Sequence, residues 1–441
     1  MPDATGSTPS VANDVAARTR RKVALRILPL VFVLYVVAYL DRANAGYAKL
    51  QMKGELGFTE QEFGWAFGLF FAGYLFLEVP GALLVEHWSA RKWFARILVT
   101  WGACSMGMAL VQTPHQFYLA RFLLGLAEAG FFPGVIVYFT HWFPRRERGQ
   151  AMAAMLIGVP ISLALGARVS GLLLEQTWFG LAGWQWVFLV EGAPAVLLGV
   201  AVPFLLTDWP HQAKWLTQEE RDWLETTLEA ERRDTAAAAG GHSLWHALRQ
   251  PAVLLLALGI LLTNLGGYAL VFWLPTAMQG LLRQTGADPT DAVVLNWTSG
   301  IHFFGFLGVV VSGWSSDANR ERKWHCITGQ VGAGVFLALS TIPGQPWGLV
   351  FTWLCFAGFF VTFWISPFWV LPTLTLTSSA AAVSIGVINM CANVAGLLGS
   401  PVIGALREAG LKDDGCLLAF AGCYALGGVV IATLRVRRGG Q

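Results

Sequence analysis

The stretch that decides the fold is residues 39–44, Tyr-Leu-Asp-Arg-Ala-Asn, near the end of an apolar run over residues 25–47. A run of this length can cross a bilayer as a helix. An acid and a base inside hydrocarbon are costly, so Asp41 and Arg42 indicate a functional site. Their opposite charges reduce the cost but leave guanidinium donors free, and the planar guanidinium of Arg42 matches a carboxylate. The alternative is that the pair only holds this helix against its neighbours.

The composition indicates a membrane protein surrounded by a lipid bilayer. The chain has 441 residues, of which 55% are hydrophobic and 13% charged, and its mean hydropathy is +0.54. These values are too apolar for a soluble globular protein. The net charge of +3 gives no indication of a nucleic-acid partner. The six cysteines are scattered without metal-ligand spacing, so we interpret them as packing residues and expect no metal.

Apolar segments long enough to span the membrane recur along the whole chain. They lie near residues 25–47, 62–85, 94–112, 115–139, 151–174, 184–206, 252–275, 293–315, 325–343, 347–370, 381–406 and 415–434. The expected fold is therefore all-α, with twelve transmembrane helices in two six-helix halves.

A polar loop separates the two halves. The predicted units are an N-terminal tail (1–24), an N-terminal half (25–206), a central loop (207–250), a C-terminal half (251–434) and a C-terminal tail (435–441). Within the central loop, Thr217 and Glu220 form a capping-box pattern followed by apolar residues, which predicts a short surface helix.

Lysine and arginine are concentrated in the loops of one side, for example at residues 18–22, 145–148 and 320–323. The other side carries few basic residues, among them Lys49 and Arg407. Because cytoplasmic loops are rich in Lys and Arg, both termini are expected in the cytoplasm.

A pattern of the N-terminal half recurs in the C-terminal half. Glycine followed by basic residues occurs after the second segment, with Arg91, and again after the eighth, with Asp317. Two parallel halves predict a binding site at their shared interface near the middle of the membrane. We assign Arg91, Asp317 and Arg121 to gating or structural charge.

Six stretches carry a family resemblance. They are residues 39–48 (YLDRANAGYA), 121–134 (RFLLGLAEAGFFPG), 138–149 (YFTHWFPRRERG), 183–199 (GWQWVFLVEGAPAVLLG), 268–276 (YALVFWLPT) and 367–373 (PFWVLPT). The chain resembles the major facilitator superfamily, and within it the anion:cation symporter family, which includes bacterial permeases for tartrate, phthalate, aldonates and hexuronates. The chain departs from the family at Arg168, where proline is usual, and at His302, within a position that usually reads I-P-Y.

The resemblance places Asp41, Arg42, Arg121, Glu128, Tyr268 and Trp369 toward the transport cavity. Arg42 is expected to hold the substrate carboxylate, and Tyr39 shares its helix face. The predicted substrate-binding set is Tyr39, Arg42, Asn44, Tyr74, Tyr268, Trp369, Asn389 and Asn393. For Tyr74 the alternative is a packed aromatic ring with a satisfied hydroxyl.

Glu128 and Asp41 are the candidates for proton coupling, because a buried carboxylate near a cation changes its proton affinity when the cavity opens. The alternative is a fixed structural pair of Arg121 and Glu128. Glu78 and Glu191 are interpreted as packing or gate elements.

Arg168 and His302 lie where specificity could be set. The guanidinium of Arg168 either reaches the headgroups through its long stem or binds a second substrate carboxylate. A lone polar residue such as His302 more often bonds a neighbouring helix.

The expected function is secondary active transport, with proton-coupled uptake of a small organic anion by a monomer in the bacterial inner membrane. ATP hydrolysis is not expected to drive transport, because the chain has no Walker motif, and no pattern of an enzyme active site was found. No cofactor is expected. The alternatives are a proton-driven antiporter of drugs or amines, and a nutrient sensor of the same fold that no longer transports.

Overall fold

The computed structural model describes residues 9–238, 250–372 and 378–435. The N-terminal half contains α1 (Pro9–Leu56), α2 (Glu60–His87), α3 (Ala90–Gly107), α4 (Pro114–Glu128), α5 (Phe131–Trp142), α6 (Arg145–Leu156), α7 (Gly158–Leu174) and α8 (Gly183–Leu205). The connecting helix is α9 (Gln218–Ala238). The C-terminal half contains α10 (Pro251–Gln284), α11 (Asp291–Ala318), α12 (Lys323–Leu339), α13 (Trp347–Phe363), α14 (Ile365–Phe368), α15 (Ser378–Glu408) and α16 (Asp413–Thr433).

Ten spans within the described chain are long and apolar enough to cross a membrane. Three of them each consist of two consecutive helices: α4 with α5, α6 with α7, and α13 with α14. Helix α2 packs on α4 and α15, and helix α12 packs on α13 and α16, so these two occupy the second and ninth positions of a twelve-helix bundle. The part of the chain that the structure describes contains no β-strand.

The fourth predicted segment, 115–139, is not one continuous helix. Helix α4 ends at Glu128, and α5 begins at Phe131. Between them the backbone of Ala129 is extended, and Gly130 has a φ of 84°. Glycine adopts this left-handed conformation without steric cost, which explains its position at the break. The prediction of a continuous helix was wrong here because nothing in the apolar pattern marks the break, and its consequence is that Glu128 terminates a helix.

The central loop contains the predicted capped helix. Glu220 accepts a hydrogen bond from the backbone of Thr217, whose hydroxyl accepts one from the backbone of Glu220, at 2.9 and 3.3 Å. The capping box is thereby confirmed. Leu224 and Leu228 of α9 are buried, and Lys22 in the N-terminal part of α1 bonds Glu220 at 2.8 Å. The chain from Pro9 onward is therefore helical and packed on α9, whereas most of the predicted tail at 435–441 lies outside the described residues.

The two halves meet along three helix pairs: α2 with α15, α7 with α11, and α1 with α10. Small residues permit the closest approach. A Cβ added to Gly64 of α2 would lie 2.8 Å from the carbonyl oxygen of Ser400 in α15, which is too close for an unstrained side chain. Close packing through small residues is the usual means of helix association in membranes.

Candidate functional site

A cavity of about 160 Å³ lies between the two halves. Helices α1, α2, α10 and α15 each contribute side chains to it. Its lining includes these residues predicted from the sequence: Tyr39, Arg42, Tyr74, Glu128, Tyr268, Trp369, Asn389 and Asn393. The interface between the halves is therefore where the predicted binding residues come together.

Arg42 carries the positive charge of this cavity. Its side chain is almost entirely buried and forms an ion pair with Glu128 at the end of α4. The guanidinium carbon lies 4.8 Å from the ring centre of Tyr39 and 5.5 Å from that of Tyr74, as in cation–π contacts. Its Nε atom has no hydrogen-bond partner among the described residues. Arg42 is thus held from several sides and still retains an unused donor.

Arg121 does not form the pair with Glu128 that we considered as the structural alternative. The two residues lie on one helix, but the carboxylate of Glu128 bonds Arg42 of α1 instead. Arg121 is completely buried, and in the described part of the chain its three guanidinium nitrogens have no hydrogen-bond partner. The closest ring centre is that of Phe70, 5.0 Å away. The break after Glu128 ends the helix at this carboxylate, which leaves it beside α1.

Asp41 faces away from the cavity. It is fully buried and accepts hydrogen bonds from Ser105 at 2.5 Å, from Asn44 at 3.0 Å and from the indole of Trp101. Because Asn44 is directed to Asp41 and does not line the cavity, the structure gives no support to its predicted contact with substrate. Consecutive helical residues point about 100° apart, which separates Asp41 from Arg42.

Asn389 and Asn393 both donate hydrogen bonds to Glu78, one to each carboxylate oxygen. Asn393 does so at 3.1 Å. Glu78 lies one helical turn after Tyr74 in α2 and does not itself line the cavity, so this contact joins α2 to α15 behind the two asparagines. Glu78, which was interpreted from the sequence as a packing or gate element, contacts two of the predicted binding residues, and this contact was not predicted. The signal that could have indicated it is the spacing of four residues from Tyr74, which puts both on one helix face.

The two speculative specificity residues lie outside the main cavity. Arg168 is exposed on α7 and donates a hydrogen bond to Asn296 of α11. His302 lines a smaller neighbouring cavity with apolar side chains of α7, α10, α11 and α13. The position of Arg168 favours the interpretation that it does not bind a second carboxylate.

One end of the bundle is closed by an ion-pair network across the halves. Glu60 of α2 bonds Lys49 and Lys53 of α1 at 2.7 and 2.5 Å. Arg407 of α15 lies 3.4 Å from Glu60 and 2.6 Å from Asp413 of α16. We call this end the closed face and the opposite end, at Lys22 and Arg148, the basic face.

The remaining predicted gating charges lie at the basic face. Arg91 bonds Asp208 at 3.1 Å, which connects the start of α3 to the chain after α8. Asp317 pairs with Arg322 at the turn between α11 and α12. Neither pair joins the N-terminal half to the C-terminal half.

A helical bundle with a charged cavity between two membrane-embedded halves defines a multi-pass membrane transport protein. The chain belongs to the Major Facilitator Superfamily, whose family model matches residues 31–400. The resemblance inferred from the sequence motifs is thereby confirmed, and the chain is a transport protein and not an enzyme.

Relatives with transporter names match most of the chain. A protein of Agrobacterium vitis named "Putative tartrate transporter" is 41% identical, over 96% of this chain and 96% of its own length. A protein of Acinetobacter baumannii named "Quinolone resistance transporter" is 38% identical, over 88% of each chain. Both names describe transport proteins.

Among solved structures, the xylose transporter of E. coli in a partially occluded inward-open conformation has a TM-score of 0.72. The likeness covers 95% of this chain and 100% of the other, at 13% sequence identity. At this identity the likeness shows the fold alone, and it agrees with two six-helix halves.

Proposed function

We propose that this protein is a secondary active transporter that couples the uptake of a small organic anion to protons. Candidate substrates are sugar acids, tartrate-like acids and aromatic carboxylates. The observation that carries the proposal is Arg42, a buried guanidinium that lines the cavity and whose partner, Glu128, comes from another helix. A guanidinium binds a carboxylate through two parallel hydrogen bonds, which suits this task.

The pair of Arg42 and Glu128 also offers a physical basis for coupling. A substrate carboxylate that bonds Arg42 competes with Glu128 for the same donors. Glu128 then becomes a buried carboxylate without its cation, and such a group favours the protonated form. Anion binding and proton binding would therefore promote each other. Asp41 remains the second candidate for the proton.

The aromatic and amide residues of the cavity have supporting roles in this proposal. Tyr39 and Tyr74 orient Arg42 through their rings and offer hydroxyls to the anion. Tyr268 and Trp369 cover the apolar part of the substrate, and Asn389 and Asn393 lie where its hydroxyl groups would be.

The names of the relatives support two candidate functions. The tartrate name favours an organic acid as substrate, whereas the quinolone-resistance name favours the second candidate function, proton-driven export of a drug. The two functions differ in the relative direction of proton and substrate. We propose a bacterial inner-membrane location with cytoplasmic termini, because the basic face carries residues such as Arg20 and Arg145. In that orientation the closed face is periplasmic.

Purified protein in liposomes tests this function. A panel of labelled organic acids is offered under an inward proton gradient, and the expected result is accumulation that stops when an ionophore dissipates the gradient. Arg168→Lys serves as a control, since it keeps a charge outside the cavity and should accumulate normally. Uptake of a drug driven by an outward proton gradient, with no uptake of any acid, would establish the export function instead.

A further inference from the structure

We infer that Glu78 restricts the substrate to acids with a single carboxylate whose far end carries hydroxyl groups. This inference rests on the proposed function, in which Arg42 binds the carboxylate of an organic acid. It concerns the part of the cavity wall formed by Asn389 and Asn393, together with Glu78, which they bond behind the wall, and we call this group the amide end.

The hydrogen bonds of the amide end have the pattern of an ionised carboxylate. Both oxygens of Glu78 accept from an amide, one from Asn389 and the other from Asn393. A protonated carboxyl group would present an O–H donor on one of these oxygens, and that donor would face another N–H donor. An ionised carboxylate accepts on both sides, so the two asparagines stabilise Glu78 as an anion.

This arrangement uses the donors that a second substrate carboxylate would need. The amide donors of Asn389 and Asn393 are already bonded to Glu78, and among the described residues that line the cavity Arg42 is the only cation. A dicarboxylate bound at Arg42 would bring its second negative charge toward Glu78 without a compensating cation. Like charges repel strongly in an environment of low dielectric constant.

A hydroxyl group meets no such repulsion at the amide end. It can accept from the second N–H of an asparagine amide and donate its proton to an amide oxygen. Glu78 therefore favours a hydroxylated monocarboxylate and disfavours the matching diacid.

Threonate and tartrate of matched configuration test this inference. Both have four carbons, one carboxylate and two secondary hydroxyls, but the far end is a hydroxymethyl group in threonate and a second carboxylate in tartrate. The measurement is the ratio of their affinities, obtained by competition against a labelled substrate in proteoliposomes. The wild-type protein should prefer threonate. Glu78→Gln removes the charge and should shift the ratio toward tartrate by about tenfold, as expected for the loss of one close like-charge contact.

Two variants separate charge from structure. Glu78→Asp keeps the charge and should keep the preference for threonate. Glu191→Gln changes another buried carboxyl group of the membrane region, which bonds Ser170 and does not line the cavity, and it should leave the ratio unchanged.

If Glu78 only ties α2 to α15, then Glu78→Gln weakens both acids equally, and the unchanged ratio contradicts the inference while the proposed function stands. A wild-type preference for tartrate would also contradict it. If wild-type protein binds neither these acids nor any other carboxylate of the panel, the proposed function itself fails.

Discussion

Asp41 and Arg42 are neighbours in the sequence but lie in opposite environments. Asp41, with Asn44, Trp101 and Ser105, forms a group in which the carboxylate accepts three hydrogen bonds inside the N-terminal half. Arg42 faces the cavity together with Glu128, and each retains a polar atom without a partner among the described residues. Both oxygens of the Asp41 carboxylate have donors, although the Oδ1 atom of Asn44 beside it has no partner among the described residues. A buried carboxylate whose oxygens are satisfied is held in one arrangement, whereas an unsatisfied charged pair at a cavity calls for an explanation such as a bound ligand.

The comparison separates two residues that the sequence treats alike. Both Asp41 and Glu128 are buried carboxylates of the N-terminal half, and both were candidates for the transported proton. Glu128 lines the cavity and bonds the residue that would bind the substrate, whereas Asp41 does neither. The following predictions test whether this structural difference is also a functional one.

The largest effect is expected from Arg42→Lys. Lysine keeps the charge but loses the planar fork that binds a carboxylate through two hydrogen bonds. We expect a loss of at least about 1.5–3 kcal/mol of binding free energy, the range for a hydrogen bond to a charged group. Calorimetric titration of the preferred acid measures it. Wild-type affinity in the lysine variant would show that Arg42 does not bind the substrate. The contrast between Asp41 and Arg42 would then be structural only.

The next effect is expected from Glu128→Gln, which removes the ionisable group but keeps the size of the side chain. Accumulation driven by a proton gradient should be abolished, because the variant has no proton to exchange at this position. Exchange of labelled for unlabelled substrate across the liposome membrane should persist, since it requires no net proton movement. A glutamine variant that still concentrates the acid would show that the proton binds elsewhere, with Asp41 as the next candidate.

Asp41→Asn should act on stability more than on binding. The amide would place a donor among the donors of Trp101 and Ser105, and a buried unsatisfied group costs about 1–3 kcal/mol. We expect a lower midpoint of thermal unfolding and unchanged substrate affinity in the folded fraction. Ser105→Ala is the matched control with a smaller loss, because it removes one donor and introduces none. A stable Asp41→Asn protein that binds substrate but loses accumulation would assign the proton to Asp41.

The helical spans could be predicted from the sequence because span length and apolar composition are local properties. The capping box of α9 is likewise local, since Thr217 and Glu220 are three residues apart. The main cavity residues followed from motifs and from the parallel halves. These features require no knowledge of which side chains meet.

The partners of the charged residues could not be predicted, because they depend on the packing of separate helices. Glu128 bonds Arg42, 86 residues away, and not Arg121, which lies on its own helix. Glu78 and Asn389 are 311 residues apart and meet only because α2 packs on α15. The break at Ala129 and Gly130 escaped prediction as well, since glycine also occurs inside membrane helices.

The smallest effect is expected from Arg168, which like Arg42 lies within a predicted span. Like Arg42 it could have bound a carboxylate, but it is exposed on α7 and donates to Asn296 of α11. Arg168→Gln removes the charge and leaves an amide able to bond the same asparagine. Substitutions at exposed positions usually change free energies by about 0.5 kcal/mol or less, so affinity should stay within about twofold. The ratio of threonate to tartrate affinity should also be unchanged, in contrast to Glu78→Gln. A selective loss of tartrate binding in Arg168→Gln would show that this guanidinium reaches the substrate in another conformation of the transporter. The difference between the two arginines would then be one of conformational state and not of position.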